Sequence, residues 1–398
     1  MEFNVKMHLG RINTLKNVIA SARDYKKTPI SVTEYLPCDY KSGKDLPKNE
    51  NFIPFDGFWG GKPDAHAWFR FTADVEKIDG FYSAIEISDV SEFVERWDAG
   101  NPQFMPYVDG ELAQGIDVNH RFFKIESGKR EVYVYAYNGA RIYEPLKFFA
   151  NVTYRSEITE YFYEQTENIL YYITLFPEYS EYASLAVNAL NEAYKLIDFL
   201  NPRSESFYKS IEVASEYLKK EFYEKYADKN ATEVSVIGHT HIDLAWLWSF
   251  KQTREKAQRS FATVIALMDE FPDYKFMSSQ APLYRAVKEE DPALYAKIKE
   301  RVKEGRWEVE GAMELEADCN IPSGESFIRQ IKTGKKFFKD EFNVDSKILW
   351  LPDVFGYSGS LPQILKKCGV ETFVTSKIGW NDTNTVPYDI FNWYGLDD

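Results

Sequence analysis

The segment Val234-Ser-Val-Ile-Gly-His-Thr-His-Ile-Asp-Leu-Ala-Trp246 decides how the rest of the chain is interpreted. The apolar residues from Val234 to Ile237 predict a short buried strand. His239, His241 and Asp243 follow at intervals of two, a spacing that places side chains on one side of an extended chain. Three polar side chains are therefore expected to converge where an apolar strand ends, which is where β/α sheets bind metal ions.

The alternative interpretation of this segment is a strand end with two hydrogen-bonded core histidines. A single histidine would favour that interpretation. The chain contains only five histidines, however, and places two of them here. The spacing therefore favours a metal site over a purely structural one.

Length and composition argue against several classes of protein. The 398 residues predict more than one domain, and the net charge of −14 argues against a nucleic-acid partner. The sequence has no apolar run long enough to cross a membrane, and its first residues are too polar for a signal peptide. Three scattered cysteines cannot form a disulfide framework, so a cytoplasmic protein is expected. Homo-oligomerisation is left open.

The pattern of apolar and turn residues divides the chain into four parts. Residues 1–49 predict a helix followed by an irregular lead-in, and residues 50–155 contain the short strands of a β-sandwich. Residues 156–231 have apolar residues at spacings of three and four, which predict a helical connector. Strands and helices alternate over residues 232–398, which favours a parallel β/α layer or barrel. The predicted fold class is a multidomain α/β protein.

A second carboxylate follows a predicted strand further along the chain. Asp353 stands between that strand and the turn that begins at Gly356, so it is expected to face the same cleft as Asp243. Taken alone, this aspartate could equally form a turn or cap a helix. Together with His241 it completes a set of one imidazole and two carboxylates. That set suits Zn²⁺ or a similar divalent ion that also binds hydroxyl groups.

One alternative is a metal barrel of the amidohydrolase type, which also begins with His-x-His-x-Asp after a strand. Such sites generally recruit further histidines from later strands. No histidine follows His241 in this chain. An amidohydrolase site could not be completed from these residues.

Four motifs occur in order along the second half of the chain. They are Gly238-His-Thr-His-Ile-Asp-Leu-Ala-Trp246, Glu316-Ala-Asp-Cys-Asn-Ile-Pro-Ser-Gly-Glu325, Leu351-Pro-Asp-Val-Phe-Gly356 and Lys377-Ile-Gly-Trp-Asn-Asp-Thr-Asn384. Together they resemble the α-mannosidases of glycoside hydrolase family 38, over residues 232–398. The segment 107–115 is similar to the sandwich that precedes the barrel in bacterial and cytosolic-type members.

The resemblance implies a role for several residues. His241 and Asp243 would be zinc ligands, and Asp353 would be both a zinc ligand and the catalytic nucleophile. Trp246 would stack beneath the terminal mannose. Phe355 would line the same subsite as Trp246, and Lys377 would also bind substrate. His239 would support the ligands from outside the metal's own shell.

The chemistry of a retaining α-mannosidase fits such a site. Retaining glycosidases use two carboxyl groups about 5 Å apart, one as nucleophile and one as acid and base. In mannose the axial 2-hydroxyl crowds the face of attack, and a metal that chelates neighbouring hydroxyls would anchor the ring. We therefore expect a metal-dependent retaining enzyme that removes terminal α-linked mannose from oligosaccharides during glycan degradation. Its ion would be Zn²⁺ or another divalent ion such as Co²⁺.

The resemblance also implies residues beyond Asp398. Family members use a fourth ligand, a histidine, and a separate acid/base aspartate further along the chain. We therefore expect these residues to be the N-terminal portion of a longer enzyme, with the β/α domain incomplete and inactive alone. Two other functions stay open: another metal-dependent hydrolase with the same His-x-His-x-Asp site, and a non-enzymatic carbohydrate-binding module that uses the abundant aromatic residues.

Overall fold

The computed structural model of the protein describes residues 2–40, 46–87, 101–177, 180–226 and 231–397. Helices and several separate sheets occur along the chain, so the expected mixed α/β class is confirmed at that level. Among these residues the sheets do not close into a barrel. No helix in the described part combines the length and the apolar composition that crossing a membrane requires.

Two antiparallel sheets form the β-rich part of the chain. Their strands, with a separate pair β4 and β11, are β1 (Asp24–Ile30), β2 (Glu34–Cys38), β3 (Ile53–Pro54), β4 (Phe58–Gly60), β5 (His66–Val75), β6 (Tyr82–Ile87), β7 (Gln103–Val108), β8 (Glu111–Leu112), β9 (Phe122–Lys124), β10 (Gly128–Tyr137), β11 (Pro145–Lys147) and β12 (Ala150–Arg155). One sheet has the order β3-β2-β5-β10-β7-β8 and the other β1-β12-β6-β9. Phe69 and Phe104 of the first sheet share one core with Phe123 and Val152 of the second.

Residues 24–38 differ from the irregular lead-in that the sequence predicts. They form β1 and β2, whose hydrogen-bonding partners are β12 and β5. Asp24 pairs with Arg155, and the Arg155 guanidinium lies 2.8 Å from the Asp24 carboxylate. Because these partners are distant in sequence, local composition could not reveal the strands. Residues 41–45 of the predicted lead-in lie outside the described residues.

A group of helices packs beside the sheets. Its members are α1 (Glu2–Ala22), α2 (Glu157–Thr174), α3 (Glu181–Lys195) and α4 (Glu205–Leu218), which continues into a π-helical turn at Lys219–Glu224. Ser156, Ser180 and Ser204 precede α2, α3 and α4, and each serine hydroxyl accepts a backbone N–H of the first turn. Ile12 and Ile19 of α1 are buried in the same core as α2 to α4.

The second half of the chain is a parallel β/α arrangement. Its elements are β13 (Gly238–His239), α5 (Phe250–Glu270), β14 (Phe276–Ser278), α6 (Ala281–Glu290), α7 (Pro292–Lys303), β15 (Trp307–Val309), α8 (Gly324–Phe342), β16 (Ile348–Trp350), α9 (Leu361–Lys367), β17 (Thr372–Val374) and a 3₁₀ turn at Lys377–Gly379. The strands β13-β14-β15 form one parallel sheet, and β16-β17 another. A parallel bridge between Gly311 and Leu349 joins the two sheets. The strands thus follow one another in chain order.

The prediction of a buried strand at residues 234–237 is wrong. Val234 and Val236 are 74% and 84% exposed, Ile237 is 50% exposed, and the strand consists of Gly238 and His239 alone. β13 lies at the edge of its sheet, and no other strand of the described residues pairs with its second side. An alternating apolar pattern favours an extended chain, but neighbouring elements decide whether that chain is paired and buried.

A buried polar cluster joins the β-rich part to α5. The Tyr135 hydroxyl donates to Glu255 Oε1 at 2.8 Å and lies 2.8 Å from His66 Nδ1. Arg259 Nη1 lies 3.7 Å from Glu255 Oε2, and Arg259 also donates to the side chain of Gln103. Because burial disfavours the charged forms, it raises the pKa of Glu255 to about 7 and lowers the pKa of His66 to about 4.

This cluster predicts a pH dependence of stability. The folded chain holds the Glu255 proton more tightly than the unfolded chain, in which glutamate titrates near pH 4.3. Between about pH 4.3 and 7 the folded state therefore binds more protons, and its free energy of unfolding should fall as pH rises. Urea denaturation over this range should show that the free energy of unfolding of the wild type falls as pH rises. The free energy of unfolding of Glu255→Gln should fall less.

The control is Glu300→Gln, which alters an exposed side chain on α7 and should keep the decline of the wild type. His66 titrates in the opposite sense, and it is present in all three proteins. Parallel pH profiles for the wild type and Glu255→Gln would contradict the expected protonation of Glu255.

Candidate metal centre

Loops after the parallel strands bring polar side chains to one edge of the β/α part. His241 and Asp243 follow β13, and Glu316 follows β15. Asp353 follows β16, and Lys377 follows β17. Because the carboxyl ends of adjacent parallel strands meet at the same edge, residues far apart in sequence become neighbours there.

The structure brings together the three predicted metal ligands. His241 Nε2 lies 3.2 Å from Asp243 Oδ1 and 3.6 Å from Asp353 Oδ2. One donor atom from each residue lies within 4.8 Å of the others, and all three side chains are partly exposed. Donors at 2.0–2.2 Å from a shared zinc ion would lie about 3–4 Å apart. The donor set and its spacing therefore fit one divalent ion.

Glu316 is a site residue that the sequence argument did not identify, although it begins one of the four motifs. Its Oε2 lies 2.6 Å from His241 Nδ1, and its Oε1 accepts the Ser279 hydroxyl at 2.6 Å. The Glu316 side chain is 4% exposed. This contact turns the imidazole so that Nε2 faces the two aspartates, as partners of metal-bound histidines commonly do. The available signals were its place at the start of that motif and its position after the third parallel strand.

The carboxylates also change the proton affinity of His241. Burial by itself disfavours the charged imidazolium. The carboxylates of Glu316 and Asp243 outweigh that effect and raise the pKa of His241 to about 9. In the ion-free protein His241 is therefore a cation at neutral pH, and it partly balances the surrounding negative charge.

His239 lies next to this site with both ring nitrogens engaged. Trp350 Nε1 can only donate, so its 3.1 Å contact makes His239 Nε2 an acceptor. His239 Nδ1 then carries the proton and donates to the Met277 carbonyl at 3.0 Å. Burial lowers the pKa of His239, which favours this neutral form. His239 therefore has no nitrogen available for a metal and instead fixes the backbone ahead of His241.

The two oxygens of Asp353 have different neighbours. Its Oδ2 faces His241, whereas its Oδ1 lies 2.6 Å from the Lys377 ammonium. The side chain of Lys377 is 14% exposed. A charge-assisted contact of this kind restricts the rotation of the carboxylate. It therefore holds the other oxygen, Oδ2, toward His241.

Aromatic side chains lie on the loops that carry Asp243 and Asp353. Trp246, three residues after Asp243, is 50% exposed, and its ring meets Trp248 edge-on with centroids 5.5 Å apart. Trp248 Nε1 donates to the Asp243 carbonyl at 3.2 Å, which fixes the loop that carries both tryptophans. Phe355 is 68% exposed. Two of the expected substrate-contact residues, Trp246 and Phe355, thus present aromatic surface to solvent.

Residues 231–398 match the family described as glycosyl hydrolases family 38 N-terminal domain. The match covers less than half of the chain. The matched residues include the four motifs that resemble this family.

Three curated relatives are α-mannosidases. The chain is 47% identical over 194 residues to Alpha-mannosidase G of Dictyostelium discoideum, 37% over 213 residues to Alpha-mannosidase of Saccharomyces cerevisiae, and 38% over 209 residues to Alpha-mannosidase 2C1 of Mus musculus. These matches cover 49%, 51% and 52% of this chain. The chain spans 18%, 19% and 20% of the respective relatives.

The contacts of Glu316 generate a prediction about stability. Replacing Glu316 by leucine leaves the Ser279 hydroxyl without its buried acceptor and removes the carboxylate that lies 2.6 Å from His241 Nδ1. The loss of such a partner costs about 1–3 kcal/mol. Chemical denaturation of the ion-free protein should show a decrease of this size for Glu316→Leu, and a smaller one for Glu316→Gln, which retains an acceptor oxygen.

The control is Glu308→Leu, which changes an exposed glutamate on the nearby strand β15. That variant should stay within about 0.5 kcal/mol of the wild type. Equal losses for the substitutions at positions 316 and 308 would show that Glu316 has no special structural role.

Proposed function

We propose that this chain carries the metal-binding and nucleophile-bearing part of a retaining α-mannosidase that removes terminal α-linked mannose from oligosaccharides. The observation that carries the proposal is the meeting of His241, Asp243 and Asp353 at the strand ends of a family 38 domain. The curated relatives with the name α-mannosidase support the choice of sugar.

The proposal includes the finer architecture. Residues 50–155 would form a β-sandwich, residues 156–231 a helical connector, and residues 232–398 part of a β/α barrel. The shared core of the two antiparallel sheets supports the first of these, and the sequential parallel strands support the last. A cytoplasmic location stays part of the proposal.

His241 would contribute Nε2 to a divalent ion, Zn²⁺ or Co²⁺, while Asp243 and Asp353 would contribute one oxygen each. When bound, such an ion supplies a Lewis-acid centre that can hold neighbouring sugar hydroxyls. Glu316 supports this arrangement because it occupies the other nitrogen of the His241 ring. The charge of the ion would also offset the repulsion between the carboxylates.

Asp353 would act as the nucleophile. Its carboxylate attacks the anomeric carbon, the glycosidic bond breaks, and a covalent glycosyl-enzyme forms that water later hydrolyses. Lys377 orients the carboxylate through Oδ1. A second carboxyl group must protonate the departing oxygen in this mechanism. Trp246 would offer its exposed face to the C–H groups of the terminal mannose.

The first test is metal binding by the purified chain. At a Zn²⁺ or Co²⁺ concentration about 100 times the dissociation constant, the free energy of unfolding should rise by about 2.7 kcal/mol. Isothermal titration calorimetry should show much weaker binding by His241→Ala and Asp353→Asn. A chelator should reverse the stabilisation.

The matched control for metal binding is Asp318→Asn. Asp318 is exposed and accepts the backbone N–H groups of Asn320 and Ile321 at 2.9 Å, so it has a turn-forming role. This variant should bind metal like the wild type. If it loses as much affinity as Asp353→Asn, the assigned ligand set is wrong.

The second test is catalysis in an active enzyme that contains this chain. Removal of a nucleophile costs about 10⁴- to 10⁶-fold in kcat, so Asp353→Ala should abolish nearly all hydrolysis of an aryl α-mannoside and also lower metal content. Trp246→Ala should reduce kcat/KM while metal content, measured by atomic emission, stays normal.

A panel of aryl glycosides distinguishes the remaining alternatives. Another metal-dependent hydrolase would prefer a different substrate, and a carbohydrate-binding module would bind mannosides without turnover. If Asp353→Ala kept full activity and full metal content, Asp353 would be a structural turn residue and neither a ligand nor the nucleophile.

A further inference from the structure

Side chains hold the loop that carries the predicted ligands His241 and Asp243. The backbone carbonyls of residues 242, 243 and 244 each accept a hydrogen bond from a side chain. The donors are, in the same order, Gln280 Nε2 at 2.9 Å, Trp248 Nε1 at 3.2 Å and the Thr253 hydroxyl. The path of this loop therefore depends on the side chains that donate to it.

Gln280 differs from the other two donors in its place in the fold. It lies between the neighbouring parallel strand β14 and helix α6, whereas the other donors follow the loop closely in sequence. Gln280 donates to the carbonyl of Ile242, the residue between the two predicted ligands. One contact from the adjacent strand therefore acts on the backbone that joins His241 to Asp243.

This contact is closed to water. Gln280 is 3% exposed and Ile242 is 4% exposed. A buried carbonyl that loses its donor is unfavourable, because solvent cannot take the place of the missing N–H group. Without the Gln280 amide, the backbone at Ile242 should shift until its carbonyl reaches another donor or solvent. His241 and Asp243, on either side of it, would move as well.

The backbone of Gln280 adopts a conformation that residues with a side chain rarely use. Its φ is 67° and its ψ is 89°. Gln280 directly precedes α6, but its side chain makes no capping hydrogen bond to that helix. Such a conformation persists where the surrounding structure enforces it, and it is most frequent at functional sites. Here it accompanies a side chain that bonds to the ligand loop instead of to its own helix.

The preceding residue supports the same ligand from another side. The Ser279 hydroxyl donates to Glu316, whose second oxygen lies 2.6 Å from His241 Nδ1. A Cβ at Gly311 would lie 2.7 Å from the Ser279 Cβ, so a glycine is needed for this close approach. Ser279 thus acts on the His241 ring through Glu316, while Gln280 acts on the backbone that follows the ring.

We propose that Gln280 is a positioning residue for the metal centre. Its amide fixes the backbone between His241 and Asp243, so that both side chains present their donor atoms to one divalent ion. This inference rests on the proposed metal-dependent function and adds to it a residue that lies outside the four sequence motifs.

The test measures metal binding by Gln280→Met, which keeps the length of the side chain but cannot donate a hydrogen bond. Residues that support metal ligands from outside typically contribute about 10- to 100-fold to metal affinity. Titration calorimetry should therefore show Zn²⁺ and Co²⁺ binding weakened about tenfold or more. The visible absorption spectrum of the Co²⁺-loaded variant should also differ from that of the wild type, because the ligands meet the ion in a changed geometry.

A second variant, Gln280→Asn, separates the hydrogen bond from the backbone conformation. Asparagine adopts positive φ more readily than most residues. Its amide is one methylene shorter, however, and falls short of the Ile242 carbonyl. Gln280→Asn should therefore bind both ions about as weakly as Gln280→Met. If Gln280→Met does not fold, this variant decides the question alone.

The matched control is Gln258→Met on α5. Gln258 is 1% exposed, and its Nε2 donates to the Arg254 carbonyl of the same helix at 3.5 Å. The control removes the same chemical group at similar burial, so it can lower stability to a comparable extent. It should nevertheless keep the wild-type metal affinity and Co²⁺ spectrum. Circular dichroism and the unfolding midpoint of each variant establish that the fold is intact.

The outcomes separate the role of Gln280 from the proposed function. If the wild type binds both ions and the two Gln280 variants match its affinity and spectrum, the positioning role is wrong and the function stands. The role is also wrong if Gln258→Met loses as much affinity, since binding then follows general stability, or if Gln280→Asn binds like the wild type. Failure of the wild type to bind either ion would overturn the metal-dependent function, and the role of Gln280 with it.

Discussion

The structure of the site depends on the convergence of three carboxylates on one imidazole. Asp243, Glu316 and Asp353 each have a carboxylate oxygen within 3.6 Å of a ring nitrogen of His241. The donor oxygens of Asp243 and Asp353 lie within 4.8 Å of each other, so their like charges repel. Two cations oppose this repulsion: the protonated His241 ring and the Lys377 ammonium on Asp353. A divalent ion would replace the proton on His241, so the same arrangement that strains the ion-free site favours metal binding.

Helix α5 connects the site to the β-rich part of the chain through hydrogen bonds. Tyr135 of β10 and Glu255 of α5 form a buried hydrogen bond, so the helix is held against the β-rich part. At its first turn, the Thr253 hydroxyl donates to the Leu244 carbonyl, and Trp248 donates to the Asp243 carbonyl. The loop that carries the predicted ligand Asp243 and the exposed Trp246 is therefore positioned by a helix whose own place is fixed by buried polar contacts.

Several site residues could be predicted from the sequence, because the residue types and spacings that indicate them lie within short stretches. The intervals of two among His239, His241 and Asp243 predicted a shared direction, and the turn after a predicted strand indicated Asp353. The structure brings His241, Asp243 and Asp353 together, and it shows why His239 differs. Both nitrogens of His239 are occupied by Trp350 and Met277, which no sequence interval could reveal.

The sequence by itself determined the order of strands and helices in the second half, the polar residues at strand ends, and the motifs that resemble those of family 38. These features are local, because hydrophobic period, turn residues and ligand spacing are all properties of neighbouring positions. Tertiary structure decided what depends on distant partners. The apolar run before Gly238 stays exposed because β13 is an edge strand in the described residues, and residues 24–38 become strands because β12 and β5 pair with them. Glu316 became a site residue only when the third parallel strand placed its carboxylate against His241, 75 positions away in sequence.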